Sequence, residues 1–126
     1  MKNVLGRLRR RSERDVKGAI LDYLNRLPGT VAYKLQVGRF QRGGRWIHVG
    51  IPGMSDIGGY LGRELTGCAR PIPLYIETKA MDGRHRPEQE EFIRARRADG
   101  CLATFARSIE DVWAYLRRNG IEVQQP

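Results

Sequence analysis

The residues best suited to chemistry are Asp56, Glu77 and Lys79, which stand at the ends of two apolar segments. Glu77 and Lys79 are two positions apart in a strand-like run. Because side chains alternate along a strand, both point to the same face, about 7 Å apart along the chain. Taken alone, this pair is also typical of an ordinary salt bridge at the end of a strand.

Asp56 follows a Gly/Pro-rich loop over residues 50–55 and begins another short strand. Two carboxylates from neighbouring strands form the oxygen-rich site that Mg²⁺ or Mn²⁺ prefers, and these ions can share a substrate phosphate. Such a metal would stabilise charge on phosphorus and lower the pKa of an attacking water. Lys79 could position or deprotonate that water, or neutralise the phosphate. Without Glu77 and Lys79, Asp56 would be typical of a turn cap.

Two further polar residues fall on the apolar sides of predicted helices. Glu13 precedes Val16 and Ile20 at helical spacing, and Gln89 precedes Phe92 in the same way. An inward-facing polar group needs a partner, and a hydrated metal or a phosphate is one candidate. The alternatives are a first-turn acid that complements the helix dipole for Glu13 and a backbone-bonded amide for Gln89.

The hydrophobic pattern predicts the elements that must position these residues. A helix is expected over 12–27, where Ser12 and Asp15 resemble a capping box and Pro28 ends the periodic run. Further helices are expected over 87–98 and 108–119, and strands over 31–37, 45–49, 56–61, 72–79 and 101–106, with a hairpin turn at 41–44 between the first two strands. The order α-β-β-β-β-α-β-α predicts an α/β fold.

Composition narrows the class of protein. The chain has 126 residues and 14.4 kDa, which favours one domain with one core. No apolar run is long enough for a membrane span, and the N-terminal segment lacks the hydrophobic core of a signal peptide, so we expect an intracellular protein without membrane association. Cys68 and Cys101 belong to no CxxC or Cys/His cluster, which argues against a disulfide framework or a structural zinc site.

The charge points to a polyanionic partner. There are 23 Lys+Arg against 14 Asp+Glu, a net charge of +9, and nucleic acid is the commonest cellular polyanion. We expect a basic arm over 1–11, a folded domain over 12–120 and a short tail over 121–126. The predicted DNA-binding residues are Arg9, Arg10, Arg11, Arg39, Arg42, Arg45, Arg84 and Arg86. Nothing resembles a base-reading helix or an aromatic stacking platform, and Trp46 is interpreted as core or interface packing, so recognition should depend on DNA shape and backbone.

The ordered set of motifs resembles a known nuclease family. These are Glu13, Gly53-Met54-Ser55-Asp56-Ile57, Ile76-Glu77-Thr78-Lys79, Glu88-Gln89-Glu90 and Asp99-Gly100-Cys101-Leu102-Ala103. Together they resemble the PD-(D/E)xK nuclease superfamily and, more closely, stand-alone virus-type replication-repair nuclease (VRR-NUC) domains of phages and bacteria. The resemblance covers the chain from Ser12 to about Trp113. One departure is Ser55, where the superfamily has proline; close VRR-NUC relatives commonly have a small residue there.

The resemblance implies a restriction-endonuclease-like core, with a central mixed β-sheet flanked by helices. It implies that Asp56, Glu77 and the backbone carbonyl of Thr78 bind a catalytic Mg²⁺ or Mn²⁺. It also implies that Lys79 acts near the nucleophilic water, and that Glu13 and Gln89 complete the catalytic set. By the same resemblance we expect a homodimer in the cytoplasm of a bacterial or phage-infected cell, acting in DNA repair.

The leading hypothesis is a metal-dependent, structure-selective DNA endonuclease with activity like that of a Holliday-junction resolvase. A second hypothesis keeps the chemistry and changes the substrate to flaps, nicked duplex or DNA ends. A third is a basic nucleic-acid-binding module without catalysis, in which Glu77 and Lys79 form a structural ion pair.

Overall fold

The structure, a computed structural model, describes residues 12–36 and 38–126. Its helices are α1 (Glu13–Arg26), α2 (Arg63–Thr66), α3 (Pro87–Ala98) and α4 (Ile109–Arg118), and its strands are β1 (Val31–Lys34), β2 (Gly38–Arg42), β3 (Arg45–Val49), β4 (Ile57–Leu61), β5 (Ile72–Thr78) and β6 (Leu102–Ala106). Arg9, Arg10 and Arg11, with the rest of the predicted basic arm, lie outside the described residues.

Four strands form a mixed central sheet in the order β1-β4-β5-β6. β1 and β5 both pair antiparallel with β4, whereas β6 pairs parallel with β5. The parallel pair is joined by α3, as a parallel connection requires a crossover. The predicted α/β class, with a mixed central sheet flanked by helices, is confirmed.

The two faces of β5 pack against different hydrophobic clusters. Leu74 and Ile76 are almost fully buried in the main core, together with Ile20 of α1 and Leu116 of α4. Tyr75 points the other way and packs in a second cluster beneath α3, which contains Phe92, Ile93 and Ala103. This period-2 alternation places Glu77 on the side of the sheet that carries α3.

The helices follow the predicted apolar periodicity. In α1, Val16, Ile20 and Leu24 are buried, and the Ser12 hydroxyl accepts a hydrogen bond from the Asp15 N–H at 3.2 Å. The N-cap side chain thereby satisfies one of the free N–H groups of the first turn. Across the described ranges, no helix combines the length and apolarity needed to cross a bilayer.

The predicted hairpin has a different first strand from the one expected. The turn is the two-residue Gly43-Gly44, with φ of 57° and 76°, and it joins β2 to β3. Positive φ at both central residues is what a type I′ hairpin turn requires, and glycine adopts it without steric strain. The expected strand over 31–37 ends at Lys34 and pairs with β4 instead; Val37 lies outside the described residues.

The reason for this error is the pattern of β2, whose single large apolar residue, Phe40, gives no burial signal. β2 and β3 form a separate two-stranded sheet, and its apolar face, which carries Phe40, Ile47 and Val49, is itself exposed. The structure also adds the short helix α2 between β4 and β5, in a segment for which no helix or strand was predicted. The element order is therefore α-β-β-β-β-α-β-α-β-α.

The segment 121–126, expected to be a tail, contacts the core. Ile121 is buried in the main hydrophobic cluster. The Tyr23 hydroxyl donates a hydrogen bond of 2.7 Å to the Gln124 carbonyl, which attaches the segment to α1.

Candidate active site

Strand register brings Asp56 beside Glu77. β4 and β5 are antiparallel with Ile57 opposite Ile76, so the residues one step beyond this pair are Asp56 and Glu77. The Asp56 N–H donates a hydrogen bond of 3.1 Å to Oε2 of Glu77. Two residues that are far apart in sequence thus meet at one end of the sheet.

The Asp56 carboxylate is held from three directions. Its Oδ2 accepts hydrogen bonds from the Thr78 N–H at 3.1 Å and from the Thr78 hydroxyl at 2.8 Å. Its Oδ1 lies 3.5 Å from Nζ of Lys17 on α1. The side chain keeps 24% of its surface exposed, so a carboxylate of fixed orientation still faces solvent.

Glu77 is the buried member of the site, with 3% of its surface exposed. Its Oε1 accepts a hydrogen bond of 2.8 Å from Nε2 of Gln89 and lies 3.6 Å from Nζ of Lys79. Burial and the neighbouring Asp56 charge raise the pKa of the Glu77 carboxyl to about 8, against the opposing attraction of Lys79. Burial is the larger of the two causes, and both disfavour the charged form of Glu77.

Gln89 links the site to the start of α3. Its Oε1 accepts from the Arg86 N–H at 3.2 Å, while its Nε2 donates to Glu77. The amide is thus oriented by a backbone donor on one side and a carboxylate on the other. Both of the side chain's polar atoms are used, so the amide can hold the Glu77 carboxylate in place.

Gly53 brings the loop before Asp56 against this same helix start. A Cβ at Gly53, whose φ is 80°, would lie 2.0 Å from the Glu88 carbonyl oxygen, a distance that no side chain tolerates. The absence of a side chain allows the two backbones to touch. The loop carrying Asp56 and the helix carrying Gln89 are consequently packed as one unit.

Glu13 completes a cluster of three carboxylates. Each of Glu13, Asp56 and Glu77 has a carboxylate oxygen within 4.8 Å of the others, although Glu13 is exposed in the first turn of α1. The three side chains come from α1, β5 and the residue that precedes β4. A set of oxygen donors with this spacing is chemically suited to Mg²⁺ or Mn²⁺.

The loop between β5 and α3 is anchored beside the site. The Arg107 guanidinium donates to the carbonyls of Ala80 and Gly83, the latter at 2.7 Å. The His85 imidazole stacks on Phe105, with ring centroids 3.6 Å apart. These contacts fix the segment that follows Lys79 and that carries Arg84 and Arg86, both exposed.

The other predicted DNA-binding arginines lie on the β2–β3 hairpin. Arg39, Arg42 and Arg45 are all exposed. Trp46 is on the same hairpin and is 62% exposed, so of its two predicted roles the core packing is wrong, and the interface packing stays a prediction. The physical reason is that the hairpin forms a sheet of its own and that, within residues 12–36 and 38–126, neither hydrophobic cluster includes its side chains.

The structure thus brings together Glu13, Asp56, Glu77, Lys79 and Gln89, and leaves the hairpin arginines on a separate element. Lys17 is a member of the site that sequence reasoning missed. Lys17 could have been identified from its position four residues after Glu13, since residues at this spacing share a helix face. For Thr78, the observed contacts of the N–H and hydroxyl are with Asp56, and metal binding by its carbonyl stays a prediction.

Comparisons of this chain with protein-family models, with curated proteins and with solved structures find no match. The nuclease-family resemblance therefore stays a prediction based on the residues themselves.

Proposed function

We propose that this chain is a Mg²⁺- or Mn²⁺-dependent DNA endonuclease that hydrolyses phosphodiester bonds in branched DNA, with a restriction-endonuclease-like PD-(D/E)xK core. The observation that carries the proposal is the meeting of Glu13, Asp56 and Glu77 beside Lys79. A structural ion pair between Glu77 and Lys79 would not account for the other two carboxylates. It would also not account for Gln89 and Lys17, whose side chains contact Glu77 and Asp56.

The donor set suits a divalent cation on electrostatic grounds. Three carboxylates lie within 4.8 Å of one another, and the pKa of Glu77 is raised by its burial and by repulsion from the Asp56 charge. A divalent cation would relieve this repulsion and favour the ionised form of Glu77. Glu13, Asp56 and Glu77 would hold it. When bound, it supplies stabilisation of phosphate charge and a lower pKa for a nearby water.

The other side chains of the site have separate roles in the proposal. Lys79, 93% buried and 3.6 Å from Glu77, positions the attacking water or takes its proton. Gln89 holds the Glu77 carboxylate in one orientation. The Lys17 side chain is 25% exposed. It would neutralise the substrate phosphate when a divalent cation replaces it as the partner of Asp56. A buried lysine among carboxylates and an exposed lysine at the rim are suited to these different tasks.

Substrate binding is assigned to two groups of exposed arginines. Arg84 and Arg86 lie on the anchored loop after β5, and Arg39, Arg42 and Arg45 lie on the hairpin. Each phosphate contact that they make would add about 0.9 to the slope of log affinity against log salt concentration. The net charge of +9 supports this assignment.

For assembly we propose a homodimer. On the outer face of β1 and β4, Val31, Tyr33 and Tyr60 keep 40%, 52% and 40% of their surfaces exposed. Val31 and Tyr60 are opposite each other in the register, so the three side chains share one face. A second copy would cover them, and two-fold symmetry would place two sites on opposite strands of a four-way junction.

The test is cleavage of an end-labelled four-way junction and its matched linear duplex, with Mn²⁺, with Mg²⁺ and with chelator. We expect metal-dependent paired cuts in the junction. Asp56→Asn should lower the rate roughly 1000-fold, because a metal supplies several kcal/mol of transition-state stabilisation. Single cuts near one branch would favour the flap or nick enzyme instead.

Two controls make the result decisive. Asp22→Asn removes a carboxylate from the exposed side of α1 and should leave cleavage unchanged. DNA binding measured in chelator should survive in Asp56→Asn, which separates catalysis from binding. Cutting at the wild-type rate by folded Asp56→Asn and Lys79→Ala variants would refute the proposed site, and binding without cutting under every metal condition would favour a non-catalytic module.

A further inference from the structure

The β2–β3 hairpin exposes a tryptophan that belongs to neither hydrophobic cluster of the described residues. All five side chains of β3 are exposed, as are residues 39–42 of β2. Trp46 has 62% of its surface exposed. Tryptophan is highly buried on average, so a mostly exposed indole beside an arginine on a basic surface hairpin is a candidate binding position.

The two faces of the hairpin differ in chemistry. Because Gln41 is opposite Trp46 and Arg39 is opposite His48, these four side chains share one face. The guanidinium carbon of Arg39 lies 5.3 Å from the Trp46 ring centroid. Arg39 thus covers one side of the indole and holds it in place, and the exposed remainder of the ring is a flat surface of the kind on which bases stack.

The charge of this region identifies the class of partner. No acidic residue occurs between Asp22 and Asp56, whereas Arg39, Arg42 and Arg45 all stand on the hairpin. This favours a polyanion that also carries flat apolar rings, which is the chemistry of nucleic acid. A second copy of the chain is disfavoured here, since a two-fold contact between hairpins would bring like charges together.

The hairpin is connected directly to the candidate active site. The Leu35 N–H donates a hydrogen bond of 2.7 Å to the Asp56 carbonyl. The chain segment between these residues, which contains the hairpin, therefore begins and ends beside Asp56. A five-residue strand spans about 17 Å, the rise of about five base pairs. A base held by the hairpin would therefore lie within a few base pairs of the bond that is cut.

We propose that the hairpin is a nucleic-acid-binding arm on which Trp46 stacks against an unpaired base, so that the arm selects DNA with disrupted pairing over intact duplex. This deepens the proposed nuclease function and rests on it for the placement of the cut. It replaces the expectation that recognition depends on shape and backbone alone. Arg39 is a positioning residue, and the hairpin arginines bind phosphate.

The experiment measures DNA affinity in chelator, where the proposed nuclease cannot cut. Fluorescence anisotropy compares a duplex containing a bubble of unpaired bases with the same duplex fully paired. Trp46→Ala should weaken binding to the bubble roughly 10-fold and binding to the paired duplex less than about 2-fold, and Trp46→Phe should recover part of the loss. Equal losses on both DNAs, or no loss, would overturn the proposal.

Ile47→Ala is the matched control, because Ile47 is the next residue, is 41% exposed and faces the opposite side of the hairpin. It should bind both DNAs like the wild type. If instead both variants shift the oligomeric state in sedimentation and leave DNA affinity unchanged, the hairpin is a contact between copies and the proposal is wrong.

A spectroscopic measurement provides a second, independent readout. The chain has two tryptophans, so Trp113→Phe leaves Trp46 as the single indole. Its emission should be quenched by bubble DNA and much less by duplex; equal quenching would count against stacking. Metal-dependent cutting with no Trp46 effect would refute this proposal alone, and a Trp46 effect without cutting would refute only the nuclease.

Discussion

Glu77 and Trp46 belong to two regions that are built in opposite ways. Glu77 is 3% exposed, and its carboxylate has partners from α3, from the residue after β5 and from the residue before β4. Trp46 is 62% exposed on a hairpin whose two strands pair with each other, and Arg39 of the same hairpin makes a cation–π contact with its ring. The candidate active site is held by the core of the domain, whereas the hairpin is held by its own turn and strand pairing.

Under the two proposals, this difference corresponds to a division of tasks. Catalysis needs charged groups at fixed positions, which packed elements provide. A binding arm needs exposed side chains and can tolerate low local stability, as ligand-binding segments commonly do. The short link from Leu35 to Asp56 joins the two regions without burying the arm.

The first expected difference between the two regions is in the free energy of unfolding. Leu24 is fully buried between α1 and the sheet, and Leu24→Ala should lower the free energy of unfolding by about 3 kcal/mol. Ile47→Ala on the hairpin should change it by less than about 0.5 kcal/mol. Denaturant unfolding measures both values. Similar losses would show that the hairpin is part of the cooperative core.

A smaller effect is expected at Gln89, where Gln89→Ala removes the donor that orients Glu77. Loss of such an outer partner typically lowers metal affinity or activity about 10- to 100-fold. Glu88→Ala, an exposed neighbour in the same helical turn, is the control and should have little effect. Mn²⁺ titration by calorimetry compares the two variants, and equal affinities would remove Gln89 from the site.

Glu77 should also make the free energy of unfolding depend on pH, and this change is spread over several pH units. Its pKa is about 8 in the folded chain and about 4.3 in an unfolded one. Between these values the folded state binds more protons, so the free energy of unfolding should fall as pH rises. In chelator, Tm should therefore decrease from about pH 5 to about pH 8, and Glu77→Gln should flatten that decrease. Identical slopes in the two proteins would contradict this.

Adding Mn²⁺ extends the same measurement. Because the cation competes with the proton on Glu77, it should raise Tm more at about pH 8 than at about pH 5. No such increase is expected in Glu77→Gln. The hairpin carries no carboxylate, so its substitutions should leave this pH dependence unchanged.

Much of the fold could be predicted from local pattern. Helical spacing located α1, including its Ser12 cap, and alternation along β5 assigned Ile76 to the core and Glu77 to the opposite face. These features depend on neighbours a few residues apart, whose geometry is fixed by the period of a helix or strand. The candidate residues Asp56, Glu77 and Lys79 were found in the same way.

The remaining features depended on contacts between distant segments. Only the pairing of β4 with β5 brings the Asp56 N–H to Glu77, and only the packing of α1 and α3 adds Lys17 and Gln89 to the cluster. The exposure of Trp46 was also decided at this level, because an aromatic residue in a strand has the same local pattern whether or not another layer covers it. Residue types and spacing determined which groups were available, and tertiary packing decided which of them meet and which remain in solvent.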